Sequence, residues 1–257
     1  MFLTVIIRVY NREDTIYRCI MSVINQTYIH KLQILIINDC STDNTIGIIN
    51  EIKNNYPNIV IDVVSHKKNM GRGKALNTAK EYIIGKYCCI LDSDDFYSRN
   101  NWVEELYNEI NGREYAILFN GNINEMHVKN IYLSQLFKIC PIPNFNYYED
   151  HYTNWFFSTY FTRYKYNLSN YIAIRYDSND RKDNTHDNTK YKFFNFELKK
   201  LYDNVFYYSQ KYTYSTLIES FNKLNTNSFD DVLFETYNEI KHELEYNKIR
   251  FNKQLDC

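Results

Sequence analysis

Four short apolar runs, each followed by a turn and then by residues recurring at helical spacing, restrict this chain to a narrow set of folds. Phe2 to Val9 is almost wholly apolar or β-branched, the pattern of a strand buried on both faces of a parallel sheet. Leu32 to Ile37, Ile59 to Val64 and Tyr87 to Leu91 repeat it. Between the runs, Ile16, Cys19, Ile20, Val23 and Ile24 line one helix, Ile46, Ile49 and Ile52 a second ending before Pro57, and Ala75, Leu76 and Ala79 a third. Asn11, with Asp14 three residues on, reads as the cap of the first helix, and Ser41 as the opening of the second. Strands and helices alternating through short connections predict a right-handed, mainly parallel sheet with helices on both faces. Ligands of such sheets bind beyond the carboxyl ends of the strands, where Asp39 and Asp92 to Asp95 fall.

The rest of the composition mostly excludes. At 257 residues and 44% hydrophobic, the chain can build a sizeable core. Its 30 basic and 31 acidic residues leave a formal charge of −1, with no global field for nucleic acid or an anionic membrane, so no nucleic-acid partner is expected. No transmembrane segment is expected, since no run approaches the ~18 apolar residues that span a bilayer. Met1 leads into a strand without leader features, and a cytoplasmic protein, at most peripheral to a membrane, is the expectation. Six cysteines without CxxC spacing read as reduced and structural, Cys19 and Cys88 on apolar faces.

Asp92-Ser93-Asp94-Asp95 places three acids within four residues after a buried strand, where unpaired carboxylates would repel one another. Oxygen ligands suit Mg²⁺ or Mn²⁺, which take one or two protein carboxylates and leave other positions to water and phosphate. The same tetrapeptide also fits a turn and cap before a helix near Asn101. Asp39, at the end of the second run, could accept a hydrogen bond from a nucleobase N–H, whereas Ser41 and Asp43 read as capping residues. Asn69, Gly71, Arg72, Gly73 and Lys74 make a basic, glycine-containing turn suited to phosphate, without the spacing of a Walker loop. Glu149-Asp150 precedes the aromatic stretch His151 to Phe157; its acids fit a helix's first turn, or a general base beside a sugar-stacking surface containing Trp155.

Taken in order, Val5 to Arg12, Ile36 to Thr45, Asn69-Met70-Gly71 with Ala75-Leu76-Asn77, Asp92 to Asp95 and Glu149-Asp150 resemble the inverting, GT-A-fold glycosyltransferases of family 2. The resemblance covers roughly residues 3 to 160, and Ser22 with Gln26-Thr27 looks like that family's ending to the first helix. It implies a nucleoside diphosphate sugar donor, UDP-linked by expectation, and Mn²⁺ or Mg²⁺. By the same resemblance Tyr10 would pack on the base, Asp39 bond it, Arg72 or Lys74 meet base or diphosphate, and Asp92 and Ser93 lie near the ribose. Asp94 would be the metal ligand, with Asp92 and Asp95 supporting or alternative ligands, and Asp150 the catalytic base, with Glu149 and Trp155 toward the acceptor. The family commonly has Pro near the position of Arg8. A His expected after the strand-like run Tyr171 to Tyr176 is missing, leaving Arg175, Arg181 or His186 to meet the diphosphate.

The expected organisation is a GT-A-like domain over 1–190, with a donor half at 1–98 and an acceptor half at 99–190, then a helical extension over 191–257. Within it, a helix near Trp102 to Ile110 and a strand near Tyr115 to Phe119 precede an irregular aromatic region, Asp177 to Lys190 reads as a mobile loop, and Ser228 with Asp231 as a capping box. The terminal helices suit packing on the domain or a homodimer. The acceptor, whether glycan, lipid-linked or protein, is open at this point. The competing readings are a catalytically silent nucleotide-sugar or glycan-binding module and a sugar nucleotidyltransferase, though the latter's glycine-rich basic loop does not follow the first strand here.

Overall fold

A computed structural model describes residues 1–115, 117–119, 130–140, 142, 144, 153 and 163–165. The predicted alternation is present through the first 110 residues. Strands β1 (Leu3–Val9), β2 (Leu32–Asn38), β3 (Val60–Ser65) and β4 (Tyr87–Asp92) alternate with helices α1 (Ile16–Ile24), α2 (Thr45–Asn55) and α3 (Arg72–Ala79), and α4 (Trp102–Ile110) follows. Beyond α4 come β5 (Ile117–Phe119), β6 (Asn130–Leu133), α5 (Ser134–Ile139) and β7 (Arg163–Lys165). β6, α5 and β7 are additions to the expected elements.

The sheet runs β3-β2-β1-β4-β6-β5-β7. β1 pairs in parallel with both β2 and β4, and β2 with β3, while β6 is antiparallel to β4 and to β5. The sheet is therefore mixed and mainly parallel. From β1 the chain moves outward to β2 and β3 and then returns to β4 on β1's other side, so β1 and β4 flank a topological switch point.

Strand residues alternate between the two faces as period-2 geometry demands. Leu3, Val5, Ile7, Ile34, Ile36, Cys89 and Leu91 pack with Ile16, Cys19 and Ile20 of α1, Ile49 and Ile52 of α2, and Trp102, Val103 and Leu106 of α4 in one core. On the opposite face α3 packs on β1 and β2, and α5 on β4 and β6. Every residue of β1 and β2 is buried, which is why these strands read as mainly apolar runs.

The polar exceptions at the lower end of β1 and β2 are mutually satisfied. Thr4 Oγ1 donates to Gln33 Oε1 (2.6 Å), and Gln33 Nε2 donates to Asp62 Oδ2 (2.7 Å) and to the Tyr82 carbonyl (2.9 Å). The N–H groups of Ile84 and Gly85 close the network on Gln33 Oε1 and Thr4 Oγ1. Gly85 has no room for a side chain there: a Cβ would stand 2.5 Å from the Thr4 nitrogen, 2.7 Å from the Leu3 carbonyl carbon and 2.7 Å from the Tyr87 oxygen, all main-chain atoms. Gly85→Ala is therefore expected to cost about 1–3 kcal/mol, as overpacking does, seen as a lower denaturation midpoint; an unshifted midpoint would show that the β4 entry can move.

Both anticipated helix starts need correction. α1 begins after Thr15, not at Asn11, and α2 begins at Thr45, not Ser41. Asn11 lies in the left-handed region (φ 50°) and ties two loops: its N–H donates to Ser41 Oγ (3.0 Å) and its Oδ1 accepts from the Thr42 N–H (2.8 Å). Asp43 does serve the start of α2, accepting from the Thr45 N–H (3.0 Å) and also from the Glu13 N–H (3.1 Å). Desolvation acts to raise its pKa, but the Thr45 and Glu13 bonds outweigh it and hold Asp43 below the ordinary 3.8. Cys19, Cys40, Cys88, Cys89 and Cys140 are all free thiols, and among the described residues no helix is long and apolar enough to cross a membrane.

Candidate active site

The site grows from the carboxyl ends of β2, β1 and β4. Val9 is in register with Asn38 and Arg8 with Asp92, so Tyr10, Asp39 and Ser93 leave the sheet side by side. The acidic segment is a fastened turn. The Asp95 N–H closes on the Asp92 carbonyl (2.9 Å), which also accepts from Cys19 Sγ (3.6 Å), and Thr15 Oγ1 donates to the Ser93 carbonyl (2.9 Å). Burial, and after it the charges of Asp95, Asp94 and Asp92, hold the Cys19 thiol well above its ordinary range, so it stays a protonated donor.

The ending of α1 supplies the remaining fastenings. Ser22 Oγ accepts the Tyr97 N–H (3.0 Å), Gln26 Nε2 donates to the Arg99 carbonyl (2.7 Å), and the Thr27 N–H donates to the Asn100 carbonyl (2.7 Å). The Ser-x-x-x-Gln-Thr pattern thus acts as a clamp on the strand-to-helix turn that carries the acids. Tyr97 is buried beside Cys89 and stacks at a tilt on Trp102 with 4.6 Å between centroids, anchoring the far end of that turn to α4.

The three carboxylates occupy different environments. Asp92 faces two guanidinium groups: Arg8 Nη2 lies 2.7 Å from its Oδ1 and Arg72 Nη2 3.6 Å from the same oxygen. Arg8 is 7% exposed and Asp95 3%. Asp94 is half-buried, and its carboxylate has no hydrogen bond or ion pair among the described residues. No three acidic, histidine or cysteine side chains converge there as a ready-made metal cage among the described residues. An unpaired Asp94 with Asp92 beside it fits a cation that takes one or two protein carboxylates and completes its shell with water and phosphate oxygens.

Asp39 is differently engaged. Its Oδ1 accepts from the Met70 N–H (2.8 Å) and lies 2.7 Å from His66 Nδ1, and its Oδ2 accepts from the Gly71 N–H (2.8 Å). Gly71 adopts φ 89°, open to glycine at little cost, and it is the residue before α3. Asp39 therefore holds the start of α3 across the top of the sheet, leaving Arg72 exposed and Lys74 half-buried on the helix's first turn. Tyr10 is half-buried directly after β1, and Ser93 is buried. Sequence reasoning missed His66 and the Arg8–Asp92 contact; a polar residue following the third strand was the only signal for His66.

Glu149, Asp150 and Trp155 lie outside the described residues, as do Arg175, Arg181, His186 and the 191–257 extension. The segment ahead of Glu149 is nevertheless tied to α3. Asn77 Nδ2 donates to the Ile142 carbonyl (2.6 Å) and Asn144 Oδ1 (2.8 Å), and Lys80 Nζ to Asn77 Oδ1 (2.6 Å) and the Cys140 carbonyl (2.6 Å).

The sequence matches the family described as glycosyl transferase family 2 over residues 4–176, more than half of the chain. The chain belongs to glycosyltransferase family 2. Among curated family 2 relatives it is 33% identical over 145 residues to the UDP-Glc:alpha-D-GlcNAc-diphosphoundecaprenol beta-1,3-glucosyltransferase WfaP of Escherichia coli, covering 55% of this chain and 53% of WfaP. It is 41% identical over 93 residues to the glycosyltransferase YibD of Escherichia coli K12, covering 36% of this chain and 26% of YibD. The matches thus span from about a quarter to about half of those relatives' own length. The crystal structure of S. aureus TarS 1–349 superposes with a TM-score of 0.59 at 17% identity, covering 99% of this chain and 73% of TarS 1–349. That likeness establishes the GT-A-like fold.

Proposed function

We propose that the chain transfers a sugar from a nucleoside diphosphate sugar to an acceptor hydroxyl, with inversion at the anomeric carbon. The observation that carries this reading is that Asp39 and the Asp92–Asp95 turn lie on either side of β1 at the switch point, with Arg72 Nη2, at the start of α3, 3.6 Å from Asp92 Oδ1. This arrangement supports a reading in which base recognition, diphosphate binding and an oxygen-donor cation site share one edge of the sheet. Family membership favours the transferase over a silent binding module or a nucleotidyltransferase. WfaP's name includes UDP-Glc and a diphosphoundecaprenol-linked acceptor, which supports a UDP-sugar donor and, among glycan, lipid-linked and protein acceptors, favours a lipid-linked one.

In this reading Tyr10 packs on the base and Asp39 accepts its N–H, while Arg72 and Lys74 meet the diphosphate and Asp92 and Ser93 border the ribose. Mn²⁺ or Mg²⁺ would be held by Asp94 with Asp92, Asp95 supporting the turn, and when bound would offset the charge developing on the leaving diphosphate. Asp150 takes the proton of the acceptor hydroxyl as its oxygen bonds to the anomeric carbon from the face opposite the leaving group. The electron pair of the broken bond departs with the diphosphate, and one displacement inverts the centre. Glu149 and Trp155 border the acceptor. The enzyme acts on the cytoplasmic side, peripheral to a membrane if its acceptor is lipid-linked, and the 191–257 extension packs on the domain or joins two copies.

The test is release of UDP from a panel of UDP-sugars with MnCl₂, with and without candidate acceptors. No release under any condition would overturn the transferase reading. Asp94→Ala is expected to weaken UDP binding in MnCl₂ by about tenfold or more, equivalent to ~1.4 kcal/mol, and to leave binding in EDTA unchanged. Equal Mn²⁺ enhancement in variant and wild type would remove Asp94 as the ligand.

A further inference from the structure

One buried titratable group has no part in the chemistry above. His66 immediately follows β3, and its side chain is 8% exposed. Its ring bridges two elements that flank the proposed base site: Nδ1 lies 2.7 Å from Asp39 Oδ1, after β2, and Nε2 lies 2.9 Å from Thr78 Oγ1, on α3. The Asp39 partner determines one proton position. A carboxylate oxygen accepts, so the ring nitrogen facing it carries the hydrogen and Nδ1–H donates to Asp39, while the Thr78 hydroxyl, which can donate or accept, meets Nε2.

The two oxygens of the Asp39 carboxylate offer about four lone-pair directions. Among the described residues, Oδ1 spends its pair on His66 and the Met70 N–H, whereas Oδ2 meets only the Gly71 N–H. One acceptor direction remains, and it belongs to Oδ2. The two main-chain donors alone would suffice for a residue that merely caps α3. Both come from adjacent residues of one turn, so they leave the carboxylate's tilt to the motion of that turn. The His66 bond approaches from β3 and sets the tilt independently.

We propose that His66 is a positioning residue for nucleobase recognition: by saturating Asp39 Oδ1 it presents the remaining acceptor direction of Oδ2 to the base, and so selects a base that offers an N–H donor. A uracil-type imide N–H satisfies this acceptor, whereas cytosine presents a bare ring nitrogen at that edge. The inference rests on the donor-site reading given above and adds to it the residue that makes Asp39 discriminating.

The experiment compares UDP with a probe that has no base. Binding of UDP, CDP and pyrophosphate, each with MnCl₂, is measured by calorimetry on the full chain carrying His66→Phe and His66→Asn. His66→Phe keeps the ring but donates nothing, and is expected to weaken UDP about tenfold and narrow the UDP-to-CDP preference, with pyrophosphate affinity within twofold of wild type. His66→Asn can return an N–H to Asp39 Oδ1 and is expected to recover most of the loss. If His66→Phe does not fold, Thr78→Val, which releases the far side of the ring, is expected to weaken UDP about threefold without changing pyrophosphate. Retained UDP affinity, or equal losses for UDP and pyrophosphate, would overturn the assignment of His66 alone. A wild-type protein that binds pyrophosphate but no nucleotide would overturn the base-site reading, and His66's role with it.

Discussion

Asp150→Asn is expected to lower transfer to an acceptor by roughly 10²–10⁴-fold, the range associated with losing a general base, while UDP binding in MnCl₂ stays within about twofold of wild type. Asparagine keeps the shape of the side chain and its carbonyl acceptor but cannot take a proton at neutral pH. The attacking hydroxyl would then have to lose its proton to water. The donor side should not register the change, because Asp39, Arg72 and Asp94 belong to the β2, α3 and β4 ends of the sheet. Glu149→Gln makes the matching control and should reduce turnover far less. Turnover unchanged in Asp150→Asn would remove that residue as the base and direct attention to Glu149.

The second large effect concerns Arg8, near whose position the resemblance leads one to expect proline. Arg8 and Asp92 are register partners on adjacent strands, and the guanidinium lies 2.7 Å from Oδ1 with only 5% of the side chain exposed. Deleting one member of a buried pair leaves the other charge desolvated, a loss of about 3–5 kcal/mol when burial is complete. Asp92 is 19% exposed and Arg72 stands 3.6 Å away, so part of the charge remains compensated. Arg8→Met should therefore cost about 2–3 kcal/mol, at or just below the lower limit of that range after screening. Adding Asp92→Asn should restore much of it, because the uncompensated charge is then gone. A double-mutant cycle from denaturant unfolding measures the coupling, and strictly additive losses would show that the pair contributes nothing as a pair.

These two residues illustrate how unevenly function can be read from this chain. Asp150 enters through the family resemblance, as the acid that follows the Asp92–Asp95 turn in the order of family elements, and its role is the proposal that the substitution above tests. Arg8 was noticeable only as a departure, and its meaning came from a partner 84 residues away. Asn11 shows the reverse error. An Asn with an acid three residues later satisfies the local requirements of a cap, but the same short amide also tolerates φ > 0, and here it bonds the loop after β2, 31 residues on. Local rules cannot choose between such uses because both satisfy the same donors and acceptors.

The clamp at the end of α1 was legible as a pattern and opaque as a mechanism. Ser22, Gln26 and Thr27 are adjacent on the helix end, but what they hold, the main chain at Tyr97, Arg99 and Asn100, is more than 70 residues away in sequence. β6 and α5, with four and six residues, are too short for periodicity to register. Their existence depends on β4 offering an edge for antiparallel pairing.

What this sequence determines by itself is the succession of buried strands and amphipathic helices from β1 through α4, and the carboxylates that follow β2 and β4. Burial on both faces favours mainly apolar runs, and a helix packed on a sheet demands its own period, so both leave local marks. Tertiary structure alone decided that β4 returns beside β1, that Arg8 and Arg72 meet on Asp92, and that His66 reaches Asp39 and Thr78. Those outcomes depend on distances between residues remote in the chain, and a hydrogen bond formed after folding imposes no spacing on the residues that make it.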